Sequence, residues 1–127
     1  MSEYKLENTW ILWNHKLDDK SWTNDSYKNI YNFKNLYDLK SYTDIIETIH
    51  LQNSMYFIMK ENIFPTWEDP NNCNGCCVSF KIPSKDIKQT WNECVTKILC
   101  ENIYKSENKN FINGISISPK KEFNIIK

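Results

Sequence analysis

Short strand-like segments are spaced along this chain, and their spacing restricts the folds open to it. Residues 9–13 and 55–59 are rich in the aromatic and branched side chains that strands favour. Apolar and polar residues alternate over residues 78–82 and again over 114–118, which is the period-2 pattern of half-buried strands. The sequence therefore predicts four separate strands before its last few residues.

Two helices are predicted between these strands. Asn35 can cap the first helix, with Asp38 in its first turn. The apolar face of this helix is formed by Leu39, Tyr42, Ile46 and Ile49. Ser84 can cap the second helix, with Asp86 in its first turn. The residues that this helix buries are Ile87, Trp91, Val95 and Ile98.

The order of these elements predicts the fold class. Residues 119–122 read as a hairpin turn that leads into a last strand at 123–126. The predicted order is strand, helix, strand, strand, helix, strand, strand. Helices separate most strands while the final pair is a hairpin, which indicates an α+β fold with helices on one face of the sheet. Residues 1–127 are expected to form a single domain.

Charge and cysteine content narrow the possible functions. The chain has no net charge, with 16 cationic side chains against 16 carboxylates, which argues against a broad basic surface for duplex nucleic acid. All of its cationic side chains are lysines, so a phosphate site here must use ammonium groups. Five cysteines, no apolar leader and no transmembrane-length apolar run favour a reduced cytoplasmic protein without a membrane segment.

Two tryptophans fall in segments predicted to be loops. Residues 14–32 are polar and read as one long loop, in which Trp22 is the largest apolar residue. Trp67 follows Pro65 closely and precedes Glu68, in a segment where proline interrupts regular structure. Two indoles can hold a flat cationic ring between their faces, and a carboxylate can accept hydrogen bonds from the N–H edge of that ring. Guanine methylated on its imidazole ring is cationic and presents two such donors.

Several motifs in a fixed order carry a family resemblance. They are residues 6–13, 20–22 and 63–69, then Gly75, Trp91 with Glu93 and Glu101, and Gly114. In this order the chain resembles the eukaryotic translation initiation factor 4E family, as a divergent member of cellular or viral origin. That family binds the 7-methylguanosine cap of messenger RNA. The resemblance implies a curved antiparallel sheet with helices on its convex face and cap-binding loops on its concave side.

The resemblance also implies roles for individual residues. Trp22 and Trp67 correspond to the two stacking indoles, and Glu68 to the carboxylate that reads guanine. The phosphate-binding positions fall on Lys120, Lys121 and Lys127. The implied function is binding of capped messenger RNA in translation initiation, without enzymatic chemistry, cofactor or metal.

The chain departs from the family pattern at the surface that receives the 4G scaffold. Lys40 falls where the family has a tryptophan, whereas Leu36 and Glu93 keep plausible partner positions. The partner implied is therefore either a 4G-type scaffold or a substitute helical peptide, and the alternative is a cap-binding repressor that does not engage the scaffold. A family arginine becomes Cys77. The domain is also expected to be shortened at Lys127, where the family continues through a tryptophan-bearing strand.

Other interpretations of single residues are weaker. Cys73, Cys76 and Cys77 have the spacing of half a zinc site, but Cys94 and Cys100 make a poor second half. His15 and His50 have no sequence neighbours that indicate catalysis and are predicted to lie on the surface. An enzyme acting on capped nucleotides would need clustered acids or a Gly-rich phosphate loop. The tryptophans assigned to the core are Trp10, Trp13 and Trp91.

Overall fold

The computed structural model describes residues 5–16, 24–65, 79–100, 112–120 and 123–127. The strands are β1 (Lys5–Lys16), β2 (Lys28–Asn35), β3 (Ser54–Lys60), β4 (Phe80–Pro83), β5 (Gly114–Pro119) and β6 (Phe123–Ile126). The helices are α1 (Leu36–Ile45), α2 (Thr48–Asn53) and α3 (Ile87–Leu99), with 3₁₀ turns at Asn24–Ser26 and Ser84–Asp86.

The six described strands form one sheet in the order β2-β1-β3-β5-β6-β4. Every described pairing is antiparallel, which confirms the predicted α+β fold with an antiparallel sheet. The predicted hairpin is confirmed as well, since β5 pairs with β6 from Pro119 opposite Asn124. None of the described helices is long and apolar enough to cross a membrane.

Alternation along the strands gives the sheet two distinct faces. One face packs against the helices through a continuous core that includes Leu12, Ile58 and Ile117, each at most 4% exposed. Their strand neighbours point to the opposite side of the sheet. We call that second side the open face, defined by Trp13, Phe57, Ser116, Ser118 and Ile125, which the registers align across β1, β3, β5 and β6.

The first predicted helix divides into two. Asn35 caps α1 as predicted, because its side chain accepts a hydrogen bond from the Asp38 amide at 3.0 Å. The backbone leaves helical geometry at Ile46, and α2 starts after Glu47, whose amide donates to His50 Nδ1 at 2.9 Å. The predicted apolar face is therefore wrong at Ile49, which lies on α2 and is 63% exposed.

The second predicted helix is confirmed as α3, and all four of its predicted core residues are buried. It begins later than expected, because Ser84 opens a 3₁₀ turn and regular α-helix starts at Ile87. Trp91 Nε1 donates a buried hydrogen bond to the Tyr42 hydroxyl at 2.7 Å. This bond joins α3 to α1 through the core.

The long loop predicted over residues 14–32 is wrong at both ends. β1 continues to Lys16, and β2 starts at Lys28. β2 lies at an edge of the sheet, and only Phe33 among its residues is buried, so it lacks the apolar alternation that marks a half-buried strand.

β4 is also less buried than predicted. Its Phe80 is 56% exposed, because β4 pairs with a strand on one side only among the described residues.

Candidate functional site

Five rings pack together at the β1 end of the open face. Phe64 lies with its ring centroid 4.9 Å from that of Trp13 and 5.4 Å from that of Tyr27. Tyr27 also contacts Phe57 at 5.5 Å and His15 at 5.1 Å, edge to face in each case. Such pairs add roughly 0.5–1.5 kcal/mol each beyond the area they bury. We call Trp13, His15, Tyr27, Phe57 and Phe64 the aromatic cluster.

The aromatic cluster connects the two segments in which the sequence predicted stacking tryptophans. Tyr27 is the last residue before β2 in the connection from β1, and Phe64 lies in the segment that follows β3. β3 ends beside Trp10, so residues 61–65 must run back along β1 for Phe64 to reach Trp13. Trp22, Trp67 and Glu68 lie outside the described residues. The structure thus brings together the residues that anchor both segments.

Chain length sets how far the two tryptophans can lie from their anchors. Trp67 follows Phe64 by three residues, and Trp22 precedes Tyr27 by five. A residue spans at most about 3.6 Å, so along the chain these positions follow or precede the two contacting rings by at most about 11 Å and 18 Å.

His15 corrects a surface prediction. Its side chain is fully buried, with Nδ1 3.0 Å from the Lys16 carbonyl and the Tyr27 ring packed against it. β1 extends past His15, and strand alternation places this residue on the open face, where the aromatic cluster covers it. His50 is exposed as predicted, although it also accepts the hydrogen bond that starts α2.

The predicted phosphate-binding lysines divide between described and undescribed positions. Lys120 follows β5 at the hairpin and Lys127 follows β6, and both are exposed. Lys127 exchanges backbone hydrogen bonds with Ser116, which assigns it to the open face. Lys121 lies outside the described residues. The structure thus places two of the three predicted lysines on the open face, at the β5–β6 end.

The predicted partner residues lie on the helices, away from the open face. Leu36 starts α1 and is 41% exposed, Lys40 forms an ion pair with Asp44 at 3.2 Å, and Glu93 is exposed on α3. Between α1 and α3 runs an open groove of about 460 Å³. The residues that line it all carry polar groups on partly aliphatic side chains: Thr43, Gln89, Asn92, Glu93, Thr96 and Lys97.

A second concavity was not predicted from the sequence. It measures about 240 Å³ and is lined mainly by apolar and aromatic side chains: Leu12, Ile30, Tyr31, Tyr42, Ile45, Ile46, His50 and Tyr56. Ile30 lies on β2, which sequence patterns assigned to a loop, and Ile45 points away from the predicted helix face with 70% exposure. In the sequence, the only indication of this cavity is that Ile30 and Ile45 are apolar residues outside the predicted core positions.

No group of metal-ligating side chains occurs in the part of the chain that the structure describes. Burial raises the pKa of both described thiols, Cys94 and Cys100, above the usual thiol value and so favours the unreactive protonated form. The three cysteines with half-zinc-site spacing, Cys73, Cys76 and Cys77, lie outside the described residues.

The fold belongs to a class in which a curled antiparallel sheet carries helices on one of its two faces. Within that class, the chain belongs to the eukaryotic initiation factor 4E family, whose profile matches residues 5–127. This confirms the resemblance drawn from the ordered motifs. The predicted curvature of the sheet is confirmed by structures of the same family.

Individual relatives agree with this assignment. A Caenorhabditis elegans eIF4E-3 structure, in complex with the 4E-binding protein Mextli and a cap analog, superimposes with a TM-score of 0.85 at 26% identity. The match covers 97% of this chain and 71% of that one. The Saccharomyces cerevisiae initiation factor 4E is 26% identical over 125 residues, which is 94% of this chain and 58% of that protein.

A viral relative also matches. The 4E homolog of Acanthamoeba polyphaga mimivirus is 34% identical over 71 residues, which is 55% of this chain and 26% of that protein. The chain thus spans between about a quarter and three-fifths of the length of these two curated relatives.

Proposed function

We propose that this protein binds the 7-methylguanosine cap of messenger RNA and acts in translation initiation. The observation that carries the proposal is the aromatic cluster, in which Tyr27 and Phe64 join the segments bearing Trp22 and Trp67. Family membership and the cap analog bound by the Caenorhabditis elegans relative support the same ligand. The proposed site lies at the β1 end of the open face, away from the helices.

Recognition in this proposal rests on three side chains. Trp22 and Trp67 hold the methylated base between their rings, where its positive charge strengthens stacking. Stacking contributes on the order of 1–3 kcal/mol per aromatic ring. Glu68 accepts hydrogen bonds from the two adjacent N–H donors of guanine. Neutral guanine lacks the cation–π contribution, so the site distinguishes methylated from unmethylated caps.

The phosphates are held at the other end of the open face. Lys120 follows β5, Lys127 follows β6, and Lys121 follows Lys120 in sequence. No carboxylate among the described residues pairs with Lys120 or Lys127, so their charges are available to an anionic ligand. The protein on this proposal binds and does not transform its ligand, and incubation with a cap dinucleotide in magnesium buffer should leave the dinucleotide intact.

Tryptophan fluorescence during titration tests the central claim. We expect 7-methyl-GTP to quench strongly and GTP weakly. Trp22→Ala and Trp67→Ala should each abolish retention on a methylguanosine resin, and Tyr37→Ala, which truncates an exposed ring on α1, should not. Glu68→Gln should weaken binding, whereas Glu93→Gln on α3 serves as the matched control. Resin retention equal to the parent in both tryptophan variants would contradict the proposal.

A second candidate keeps cap binding but removes the scaffold, giving a repressor that occupies caps. The observation that favours it is the ion pair of Lys40 with Asp44, together with the polar group that each residue lining the groove between α1 and α3 carries. An apolar helical peptide would desolvate these side chains without compensating hydrogen bonds. The alternative retained for initiation is a scaffold or substitute helical peptide that contacts Leu36, Lys40 and Glu93.

Peptide binding distinguishes the two candidates. A 4G-type helical peptide should bind the parent weakly if the repressor proposal is right, and Lys40→Trp should strengthen its binding. Lys34→Trp, on exposed β2, controls for a nonspecific effect of the added indole. Firm binding of the peptide to the parent, lost on changing Leu36 or Glu93 to alanine, would instead support the initiation role.

A further inference from the structure

Lys81 is an exposed residue of β4 that the sequence did not connect with any ligand. It pairs directly with Ile125, and Ile125 in turn pairs with Ser118 of β5. Directly paired residues of antiparallel strands point to the same side of a sheet. Lys81 therefore belongs to the open face, on the same side as the proposed phosphate-binding lysines.

The Lys81 ammonium is positioned by an aromatic ring. Its Nζ lies 4.3 Å from the ring centroid of Phe123, which is within cation–π distance. Phe123 pairs with Pro83, two residues beyond Lys81, so the lysine side chain reaches diagonally across the strands towards the hairpin. Such a contact restrains a long, flexible side chain while leaving its ammonium donors on the other sides free for further hydrogen bonds.

Lys120 is paired with Phe123 on the side of β6 that faces away from β4. Its amide donates to the Phe123 carbonyl at 2.7 Å, and the β5–β6 register continues to this pair from Pro119 opposite Asn124. Phe123 therefore has Lys120, the residue after β5, as its backbone partner on one side, and Lys81 of β4 reaches it from the other side. Lys127 lies on the same face two residues beyond Ile125, the register partner of Lys81.

The charges of these three lysines are not compensated within the described residues. The two ion pairs found there, Lys40 with Asp44 and Lys88 with Glu47, lie on the helical side. A chain with no net charge thus has three cations on one end of its open face with no carboxylate paired to them in the described ranges. Such a local cluster of cations favours an anionic ligand.

We propose that Lys81 is a further phosphate-binding residue, which extends the positive surface of Lys120 and Lys127 onto β4. The ligand class is the phosphate chain at the 5′ end of capped RNA, either the triphosphate itself or the phosphate of the following nucleotide. This inference rests on the proposed cap-binding function. It makes β4 part of the binding surface and gives Phe123 the role of positioning the Lys81 ammonium.

Ligands with and without phosphate test the proposal. The parent, Lys81→Met and Lys81→Arg are titrated with 7-methylguanosine, 7-methyl-GTP and a short capped RNA. Lys81→Met keeps the apolar stem over Phe123 but removes the charge. It should lower the affinity for a phosphate-bearing ligand by about twofold to fivefold. Affinity for 7-methylguanosine should not change, and Lys81→Arg should retain parental affinity. The effect should shrink as salt increases.

The matched control is Lys85→Met, which removes one exposed charge from the 3₁₀ turn that follows β4. If Lys81→Met lowers the affinity for 7-methyl-GTP, Lys81 contacts the triphosphate. If it lowers only the affinity for capped RNA, Lys81 contacts the phosphate of the next nucleotide. Three outcomes would overturn the proposal. Lys81→Met could bind all three ligands with parental affinity, or it could lose as much affinity for 7-methylguanosine as for the phosphate-bearing ligands. Its loss of affinity could also be no larger than that of Lys85→Met. A parent that fails to prefer 7-methyl-GTP over GTP would instead contradict the proposed function itself.

Discussion

The buried hydrogen bond between Trp91 and Tyr42 shows how much one polar atom can matter in this core. Tyr42→Phe removes the acceptor of the 2.7 Å bond and leaves the Trp91 N–H buried without a partner. Leaving a buried donor unsatisfied costs about 1–3 kcal/mol. We therefore expect urea denaturation to show a free energy of unfolding lower by about that amount. Tyr37→Phe, at an exposed position, should unfold like the parent. An unchanged midpoint for Tyr42→Phe would contradict the assigned bond.

The same residue makes stability depend on pH in alkaline solution. Burial raises the pKa of the Tyr42 hydroxyl well above its usual value of 10.0, while the hydrogen bond from Trp91 opposes this in part. The folded state thus retains a proton that the unfolded state loses above about pH 10, so the free energy of unfolding should fall as pH rises beyond that value. Tyr42→Phe should make this fall shallower when unfolding is measured from about pH 8 to about pH 11. An equally steep fall would exclude Tyr42 as its source.

Individual side chains also show what sequence reasoning could not reach. Trp22, Trp67 and Glu68 could be selected because their motifs resemble a known family. Lys81 could not, because alternation gives the face of a residue within its own strand but not which strands become neighbours. His15 was placed on the surface because no sequence neighbour indicated a role for it, whereas the structure covers it with Tyr27, the residue just before the next strand. Both differences arise from pairing between strands.

At the scale of elements, the aromatic cluster should control how well the two proposed binding segments are positioned. Tyr27→Leu keeps an apolar side chain but removes the ring contacts to Phe64, Phe57 and His15. If about 0.7–1.4 kcal/mol of the energy of these three contacts goes into positioning the segments, affinity for 7-methyl-GTP should fall about threefold to tenfold. Fluorescence titration measures the change.

Tyr31→Leu is the matched control for this variant. Tyr31 is a half-buried tyrosine of β2 with an edge contact to Phe33 at 5.0 Å, but it packs on the helical side of the sheet. We expect Tyr31→Leu to lower stability without lowering cap affinity. Equal affinity losses in both variants would show that the Tyr27 effect is only a consequence of general destabilisation.

The contact between β3 and β5 depends on the absence of a side chain. A Cβ on Gly114 would overlap the Met59 sulfur and approach the Ile58 carbonyl oxygen to 2.5 Å. The carbonyl belongs to the backbone and cannot move aside without disturbing the β3–β5 pairing. Gly114→Ala should therefore destabilise the protein by about 1–3 kcal/mol in thermal or urea unfolding. Ser116→Ala, two residues along the same strand, should cost less, and the reverse order would contradict the close approach.

Helices were more predictable than edge strands because their signal is local. The apolar spacing of α3 identified all four of its predicted core residues, and Asn35 was correctly assigned as a cap. The break between α1 and α2 was missed, because the apolar spacing continues across Ile46 while the capping interaction of Glu47 with His50 starts a new helix. β2 was missed because an edge strand buries too little to show alternation.

At the scale of the whole molecule, the C-terminal strands hold the sheet together. β5 and β6 lie between β3 and β4, so the proposed phosphate-binding surface combines residues from distant parts of the chain. Lys81 and Lys120 are both neighbours of Phe123 only because β6 lies between β4 and β5. Pairing of the last strand is thus a condition for assembling the proposed phosphate site, and sequence periodicity does not contain this order.

Asn124 links this last strand to the helical layer. Its side-chain amide, only 1% exposed, donates to the Leu51 carbonyl of α2 at 2.8 Å. Asn124→Ala removes that donor and leaves a buried carbonyl unpaired, so we expect a loss of about 1–3 kcal/mol in the free energy of unfolding. Because the bond joins two distant elements, hydrogen exchange should show amides of α2 and β6 losing protection together.

A second asparagine provides a control with the same bond length. Asn53 Nδ2 donates to the Ile49 carbonyl at 2.8 Å, but it is exposed and acts within α2. Water can replace that bond, so Asn53→Ala should cost no more than about 0.5 kcal/mol and change exchange only in α2. If both variants lost the same stability, burial would not explain the effect. If Asn124→Ala left exchange in α2 unchanged, the hairpin and the helical layer would not be coupled through this contact.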